Sequence, residues 1–534
     1  MEETNLELTQ RLVAEGKSNE AIHDILLQGV TEPQPVENLN TTSEAGASVP
    51  SPTAPVPSPS TDAAVSSAAG VPADVPPAVA LPQFPPLLAV AADTPMSRLT
   101  GLGWPLIIIL CLIPTFILLL DIPITARFGT LPLALLTLGD MTGIIGLGMY
   151  VANLVLATRW QIIETMFGGL NRVFIAHAVL GSLALMMLLV HPIFSAFSYY
   201  PYGLKTVAHF FVPQVAYIGS AFGILALIII IVLVFISLFL KLGYNIWLKT
   251  HKYLGIAYLL IGLHVVLTPN KITADPIILA YLWLLLIIGG ISYLYRTLLP
   301  NIFVRRYLYT IKDAQPKGIG TVEVTLAPVD KAISFKAGQF VFIAFDNDAL
   351  STEWHPFSVT SAETSADLKI DLKSLGGYTE TMTRLLPRMV GMTVHVEGAY
   401  GRFSYQNVNN VNQIWVAGGI GITPFLSMAQ ALGTGPYNID LYYSVKTQSE
   451  LIDLEVLAAR QSSKPGQIFR VFPFITDTYN TFLSAKIIAH NSGNLEDRDV
   501  LLCGPPMMMH AIGDQLITLG VSKHHIHSEE FSLN

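Results

Sequence analysis

Four histidines fall in two apolar stretches of the chain. His177 and His191 lie within Phe174–Phe194 and are 14 residues apart; His251 and His264 lie within Thr250–Thr268 and are 13 apart. At the rise of an α-helix these separations are ~21 Å and ~20 Å. Each helix then places one imidazole near each face of a hydrocarbon core about 30 Å thick. Neutral imidazole is a common haem ligand, and a porphyrin iron takes an axial ligand on each face. Two such helices side by side offer two stacked ligand pairs, His177 with His251 and His191 with His264. A single imidazole in an apolar helix is most often a core residue, but four in matched pairs inside a bilayer point to function. The two helices cannot be alike. Fourteen residues return a side chain to within roughly 40° of the same helix face, whereas 13 leave it roughly 140° away. The helix with His251 must bend or change its winding, and Gly255 and Gly262 stand where that can happen.

The histidines need membrane helices to carry them. Apolar stretches at 103–120, 134–157, 174–195, 214–240, 252–268 and 276–298 have the length of six spans. Six spans put both ends of the chain on one side. Arg98, Arg159, Arg172, Lys241, Lys249, Lys252, Arg296, Arg305 and Arg306 lie at the ends and even-numbered turns, against Arg127, Lys205 and Lys271 at the others. This bias predicts cytoplasmic N- and C-terminal parts, with His177 and His251 near the cytoplasm. Asp140, in the second stretch, is expected at the membrane interface; a proton or haem-propionate environment is the alternative.

Composition agrees. Charged residues make up 13% of 534 and hydrophobic ones 51%, far from the usual balance of soluble chains. The net charge of −8 conceals three segments: residues 1–95 carry 2 basic and 12 acidic groups, 96–310 carry 12 and 4, and 311–534 carry 16 and 22. No nucleic-acid partner is implied. Cys111 and Cys503 fall in different predicted environments, so no disulfide is expected. The acidic, polar N-terminus does not read as a signal peptide. Residues 1–30 suggest a short helical segment, either a small hairpin that docks on a protein partner or a weak amphipathic stretch. Residues 31–95 are rich in Pro, Ala and Ser and read as a disordered linker.

After Arg306 the pattern changes to short alternating runs at Gly320–Leu326, Gln339–Ala344, Leu368–Lys373 and Met392–Val396, which predict an antiparallel barrel. From 411 onward, strands at Gln413–Ala417, Ile439–Ser444 and Val500–Cys503 alternate with helices at Pro424–Leu432 and Met507–Leu519, which predicts an open α/β domain. Motifs sit at the junctions. In His355-Pro356-Phe357-Ser358 a hydroxyl beside an aromatic can bond a flavin edge. Lys373, then Gly376, Gly377, Tyr378 and Thr379, offers a cation, backbone amides and a hydroxyl to a pyrophosphate. Gly398–Gly401 reads as a tight turn. Gly418, Gly419, Gly421, Thr423 and Pro424 follow a buried strand and open a helix, where backbone amides can approach a dinucleotide phosphate. Cys503, Gly504 and Pro505 end another strand and leave room for a nicotinamide ring. Lys446 to Ser449 are where a ribose 2′-phosphate would be read, and NADH and NADPH both stay open.

Taken in order and spacing, His355–Ser358, Gly376–Thr379, Gly418–Pro424 and Cys503–Pro506 resemble the ferredoxin-reductase-type flavoprotein module, over about 230 residues. Placed behind six spans with four histidines, they resemble the transmembrane ferric reductase and NADPH oxidase superfamily. The resemblance is to bacterial members without a calcium-binding domain. It implies a multidomain membrane protein: a six-helix haem-binding bundle over 96–300, a β-barrel FAD domain over 301–410 and an α/β NAD(P)-binding domain over 411–534. It also implies two haems b on the four histidines, FAD on His355–Ser358, Lys373 and Tyr378–Thr379, and NADPH or NADH on Gly418–Pro424 and Cys503–Pro505. Phe531 would be the terminal aromatic that stacks on the flavin and moves aside for nicotinamide, with Cys503 beside it in catalysis. Ala399 stands where the family more often has proline. The expected acceptor is O₂ or a ferric chelate outside the cell. Two rival readings remain: a membrane-anchored flavin reductase without haem, and a transporter with a regulatory nucleotide-binding domain, for which the broken helices of many transporters are not evident.

Overall fold

The computed structural model describes residues 99–530 apart from 122, 241, 269–274, 346–352, 409, 434 and 465. The predicted N-terminal helical segment, the linker and Phe531 lie outside these residues.

Among the described residues, six helices are long and apolar enough to cross a membrane: Gly103–Leu120, Leu131–Leu156, Leu170–Phe197, Val215–Phe239, Ile246–Leu267 and Pro276–Leu298. They match the six predicted stretches. Their outward side chains are large and apolar, such as Phe116 and Leu238, exposed by 63% and 71%, as lipid rather than water requires. Inside, Leu147, Val151, Ala226, Ala257, Leu282 and Leu285 form one core.

Span five is broken where the 13-residue spacing demands it. Tyr253 separates two helical segments, Tyr244–Lys252 and Leu254–Leu267. Tyr253 N–H and Ile256 N–H make short-range bonds, to Thr250 and Tyr253 carbonyls, which leaves the Lys252 carbonyl free. Tyr293 Oη donates to it over 3.2 Å. Tyr150 Oη donates to the Leu254 carbonyl, two residues on, over 2.8 Å. Gly255 serves the break differently from the expectation. A Cβ there would stand 1.9 Å from the Tyr293 ring, so its part is to admit that ring. At Gly262 a Cβ would make only ordinary contact, 3.5 Å from Leu286.

Among the described residues, twelve strands follow. Strands β1 (Arg306–Pro316), β2 (Thr321–Pro328), β3 (Phe340–Phe345), β4 (His355–Ser358), β5 (Leu368–Lys373) and β6 (Thr393–Tyr400) form an antiparallel sheet in the order β4-β3-β6-β1-β2-β5. A bridge from Val359 to Ile370 nearly closes it into a barrel. Alternation explains the closure: Val322, Val324 and Leu326 of β2 point inward with Ile370 and Leu372 of β5. Gly398–Tyr400, expected as a turn, continues β6, because Val341 and Phe340 of β3 pair with Gly398 and Tyr400.

Strands β7 (Asn412–Gly418), β8 (Asn438–Val445), β9 (Ser462–Lys464), β10 (Gln467–Ile475), β11 (Asp499–Cys503) and β12 (Ile526–Glu529) form the second sheet, in the order β12-β11-β7-β8-β10-β9. Its pairings are parallel except β9 with β10. Strands β7, β8 and β11 are buried almost end to end, as a sheet covered on both faces requires.

Candidate functional site

The four histidines meet in the predicted pairs. Ring centroids of His177 and His251 are 6.0 Å apart, and those of His191 and His264 are 6.3 Å apart. Two metal–imidazole bonds of about 2 Å each, plus the distance from each nitrogen to its ring centre, add to about 6 Å. An iron fits between each pair. Nδ1 of His177, His191 and His264 lies 3.2, 2.7 and 2.9 Å from the backbone carbonyls of Asn153, Gly139 and Gly219. Such a bond fixes the tautomer and leaves Nε2 for a metal.

Glycines make the room. A Cβ on Gly143 would lie 2.7 Å from His191 Nδ1, and one on Gly223 2.8 Å from His264 Nδ1. Gly139 and Gly143 on span two therefore correspond to Gly219 and Gly223 on span four: the first glycine accepts the hydrogen bond and the second gives space. A cavity lies here, lined by Asp140, Gly143, His191, Phe210, Gly223 and His264. Asp140, expected at the membrane interface, faces this cavity.

The barrel rests on the bundle through one buried carboxylate. Glu397 of β6 lies 2.7 Å from Arg296, and 3.9 Å from both Arg159 and Arg306. Tyr400 Oη donates to it over 2.9 Å. Phe340, Phe342 and Tyr400 share a core with Leu156, Phe167, Leu170 and Val173 of the membrane part. The Arg159 guanidinium covers the Phe342 ring at 4.0 Å. On the short helix Gln161–Phe167, Glu164 accepts the Gly401 backbone N–H over 2.6 Å. Burial pushes Glu164 up to about 7, against the pull of that N–H and of Arg402. Glu529 of β12 is pushed up to about 8 by burial, then by Glu164 and Glu530. Asn171 Nδ2 donates to the Glu530 carbonyl over 2.8 Å. Membrane loop, barrel and nucleotide sheet thus share one corner.

The soluble motifs fall as follows. His355 of β4 stacks on Tyr378, centroids 3.6 Å apart and planes at 21°, and burial lowers its pKa against the pull of Glu353. Tyr378 Oη and the Thr360 hydroxyl are buried with no hydrogen-bond partner among the described residues, which suits a polar ligand along this edge. Ser358 is buried beside them, while the Phe357 ring packs inside the barrel. Gly376 precedes the helix Gly377–Leu385, and the Thr379 hydroxyl takes the N–H groups of Leu375 and Gly376. Lys373 pairs with Glu450 at 2.9 Å, and its Nζ lies 3.9 Å from where a Gly419 Cβ would be. It thus joins the barrel to the glycine loop of the second domain. Nearby, Lys317 Nζ sits 2.5 Å from both Glu323 and Asp453.

Gly418 ends β7, and the helix Thr423–Ala431 begins after one tight turn over Gly419–Ile422. A Cβ on Gly421 would come within 2.2 Å of the Cys503 carbonyl, and one on Gly504 within 3.0 Å of Gly418. These glycines let the ends of β7 and β11 touch. The Cys503 thiol is wholly buried in the sheet core, which pushes its pKa up and keeps it neutral. Pro505 precedes the helix Pro506–Thr518. Lys446 is exposed, and the Thr447 and Ser449 hydroxyls bond each other at 3.0 Å.

Known proteins match along the same divisions. A ferric reductase like transmembrane component matches residues 142–262, an FAD-binding domain 309–404 and an oxidoreductase NAD-binding domain 415–514. The architecture is ferric reductase/NADPH oxidase-like. Over 227 residues the chain is 25% identical to the ferredoxin–NAD(P)(+) reductase component of naphthalene 1,2-dioxygenase/salicylate 5-hydroxylase systems from a Ralstonia species, covering 42% of this chain and 67% of that one. Over 146 residues it is 31% identical to the mitochondrial ferric reduction oxidase 8 of Arabidopsis thaliana, covering 24% and 20%. The chain spans about a fifth of the plant oxidase's length and about three fifths of the anthranilate dioxygenase component of Acinetobacter baylyi, 59%. Among solved structures, a ferredoxin NADP+ reductase from Neisseria gonorrhoeae with bound FAD and NADP is 23% identical, with a TM-score of 0.34, over 42% of this chain and 99% of that one. This is a multi-pass membrane chain with FAD-binding and NAD(P)-binding oxidoreductase domains.

Sequence reasoning missed Glu397 and its arginines. Arg159, Arg296 and Arg306 entered only as topological charge, and nothing near Glu397 marks it as their partner. It also missed Tyr150 and Tyr293, whose roles exist only because span five breaks.

Proposed function

We propose that the protein moves electrons from cytoplasmic NAD(P)H across the membrane to a one-electron acceptor outside, O₂ or a ferric chelate. The observation that carries this reading is the pair of imidazole–imidazole separations, 6.0 and 6.3 Å, at two levels of one bundle. When bound, FAD supplies the step from paired to single electrons, and two haems b supply one-electron relays.

The chain's own groups have these parts. His177 and His251 would hold the haem near the cytoplasm, and His191 and His264 the one near the outside. With two imidazoles assigned to each iron, the acceptor would find no open coordination site there and would take electrons without binding the metal. His355, Ser358 and Tyr378 would line the flavin, and Thr379 and Lys373 would face its pyrophosphate. Gly418, Gly419, Gly421, Thr423 and Pro424 would receive the NAD(P)H phosphates. Cys503, as a neutral buried thiol, would shape the nicotinamide end with Gly504 and Pro505. The lysine and arginine bias at the span ends favours cytoplasmic soluble domains.

The haem-free flavin reductase gives the paired histidines no task. The transporter reading gains nothing from the break in span five, because tyrosine hydroxyls cap it rather than a substrate path. Pyridine haemochrome quantitation of the purified chain tests the proposal. About two haems per chain are expected, and a haem-free, flavin-loaded protein would overturn it. His264→Ala should spare flavin reduction by NAD(P)H and stop transfer to the outside.

A further inference from the structure

The four histidines are not seated alike. Three donate Nδ1–H to a backbone carbonyl. The fourth, His251, has a buried Nδ1 with no hydrogen-bond partner among the described residues. What lies against its ring is Trp247, with centroids 5.2 Å apart and planes at 16°. The two are four residues apart on one helical segment, the spacing that brings side chains together.

The glycine correspondence explains the gap. Asn153 lies 14 residues beyond Gly139 and serves His177, which lies 14 residues before His191. Fourteen residues beyond Gly219 is Leu233, whose carbonyl accepts the Ser237 hydroxyl instead. With 13 residues between His251 and His264 and a break at Tyr253, His251 is displaced from the line its counterpart occupies. A backbone acceptor from span four does not reach it, and an aromatic face takes that place.

We propose that Trp247 is the positioning residue of His251, fixing by ring stacking the axial ligand that lacks the backbone hydrogen bond of the other three. This rests on the haem reading above. A hydrogen-bonded Nδ1–H both orients an imidazole and strengthens it as a donor; stacking supplies orientation alone. The cytoplasm-side haem is therefore held by one ligand of each kind, and its ligand geometry depends on the indole.

The test uses the full chain, purified with haem, and reads haem content, low-temperature electron paramagnetic resonance and midpoint potentials. The wild type should give two low-spin signals. In Trp247→Leu one signal should move or vanish, and haem content should fall from about two towards about one per chain, while the other signal keeps its position. Trp247→Phe, which keeps an aromatic face, should hold both signals near their wild-type positions. Trp283→Leu, at a lipid-exposed tryptophan of span six, should change neither. A Trp247→Leu protein with unchanged signals, potentials and haem content overturns the inference while leaving the haem reading intact. So does loss of both signals together, or an equal loss in Trp247→Phe. A wild type without haem overturns the haem reading itself.

Discussion

Arg296 Nη1 stands 2.7 Å from Glu397 Oε1, and the carboxylate that receives it is only 2% exposed. The residue at the foot of the last span is thereby bonded to the third strand of the barrel sheet order. Removing one partner of a buried ion pair costs about 3–5 kcal/mol, because a charge is left without compensation. Glu397→Ala leaves three guanidinium groups facing one another and should loosen the barrel from the bundle. In anaerobic stopped-flow mixing with NAD(P)H, flavin bleaching should keep its rate and haem reduction should slow by at least about tenfold. Haem reduction at the wild-type rate would show that the junction holds without this carboxylate.

The glycine seats make a second prediction. At Gly223 the space for a Cβ is already taken by His264, at 2.8 Å. Gly223→Leu should displace that ring and cost the haem proposed for His191 and His264, leaving about one haem per chain. Gly143→Leu should do the same through His191. Retention of full haem in both variants would mean that the histidines do not hold the groups assigned to them.

Asp440 of β8 is fully buried, with Arg470 at 2.6 and 2.8 Å and Arg498 at 2.6 Å. Asp440→Ala should destabilise the nucleotide domain by about 3–5 kcal/mol, seen as an earlier thermal transition and faster proteolysis of that domain. Haem content should not change. An unshifted melting curve would count against the triad's structural weight.

Glu164 supplies a pH dependence. Its folded value of about 7 lies above the ordinary 4.5, so the folded state holds the proton more tightly than the unfolded chain. The stabilisation is complete below about 4.5 and is lost as pH rises through about 7. Glu529, at about 8, extends the loss upward. Glu164→Gln keeps an acceptor for the Gly401 N–H and removes the titration. It should raise thermal stability at pH 8 by about 1–3 kcal/mol and leave it unchanged at pH 4. Equal effects at both values would mean that Glu164 is ionised throughout.

Much of this was legible in the chain because the signals are periodic or local. Apolar runs near the membrane's thickness marked the spans, and the alternation of Val322, Val324 and Leu326 marked a barrel strand. The 14- and 13-residue intervals even required the fault in span five. What the sequence could not locate was its cause. Gly255 drew attention as a flexible point, yet its value is the space it leaves for Tyr293, a residue 38 positions away in the chain. Glu397 was hidden for a similar reason. An acidic residue in an alternating strand reads as solvent-facing, and only the approach of Arg159, Arg296 and Arg306 from three other places makes it a buried partner.

The arginine-bound carboxylate at the junction also changes the kinetics of the whole. A free reductase must find its acceptor by diffusion, at a rate set by how much of each is present. On the proposed route the flavoprotein and membrane parts belong to one chain and meet at Glu397, so no diffusional encounter would be needed. Joining two partners by a short connection is equivalent to a local concentration in the millimolar range. Delivery to the membrane should therefore be first order in this protein at any dilution. Isolated copies of the soluble half, added from outside, should be poor competitors for a dock already filled.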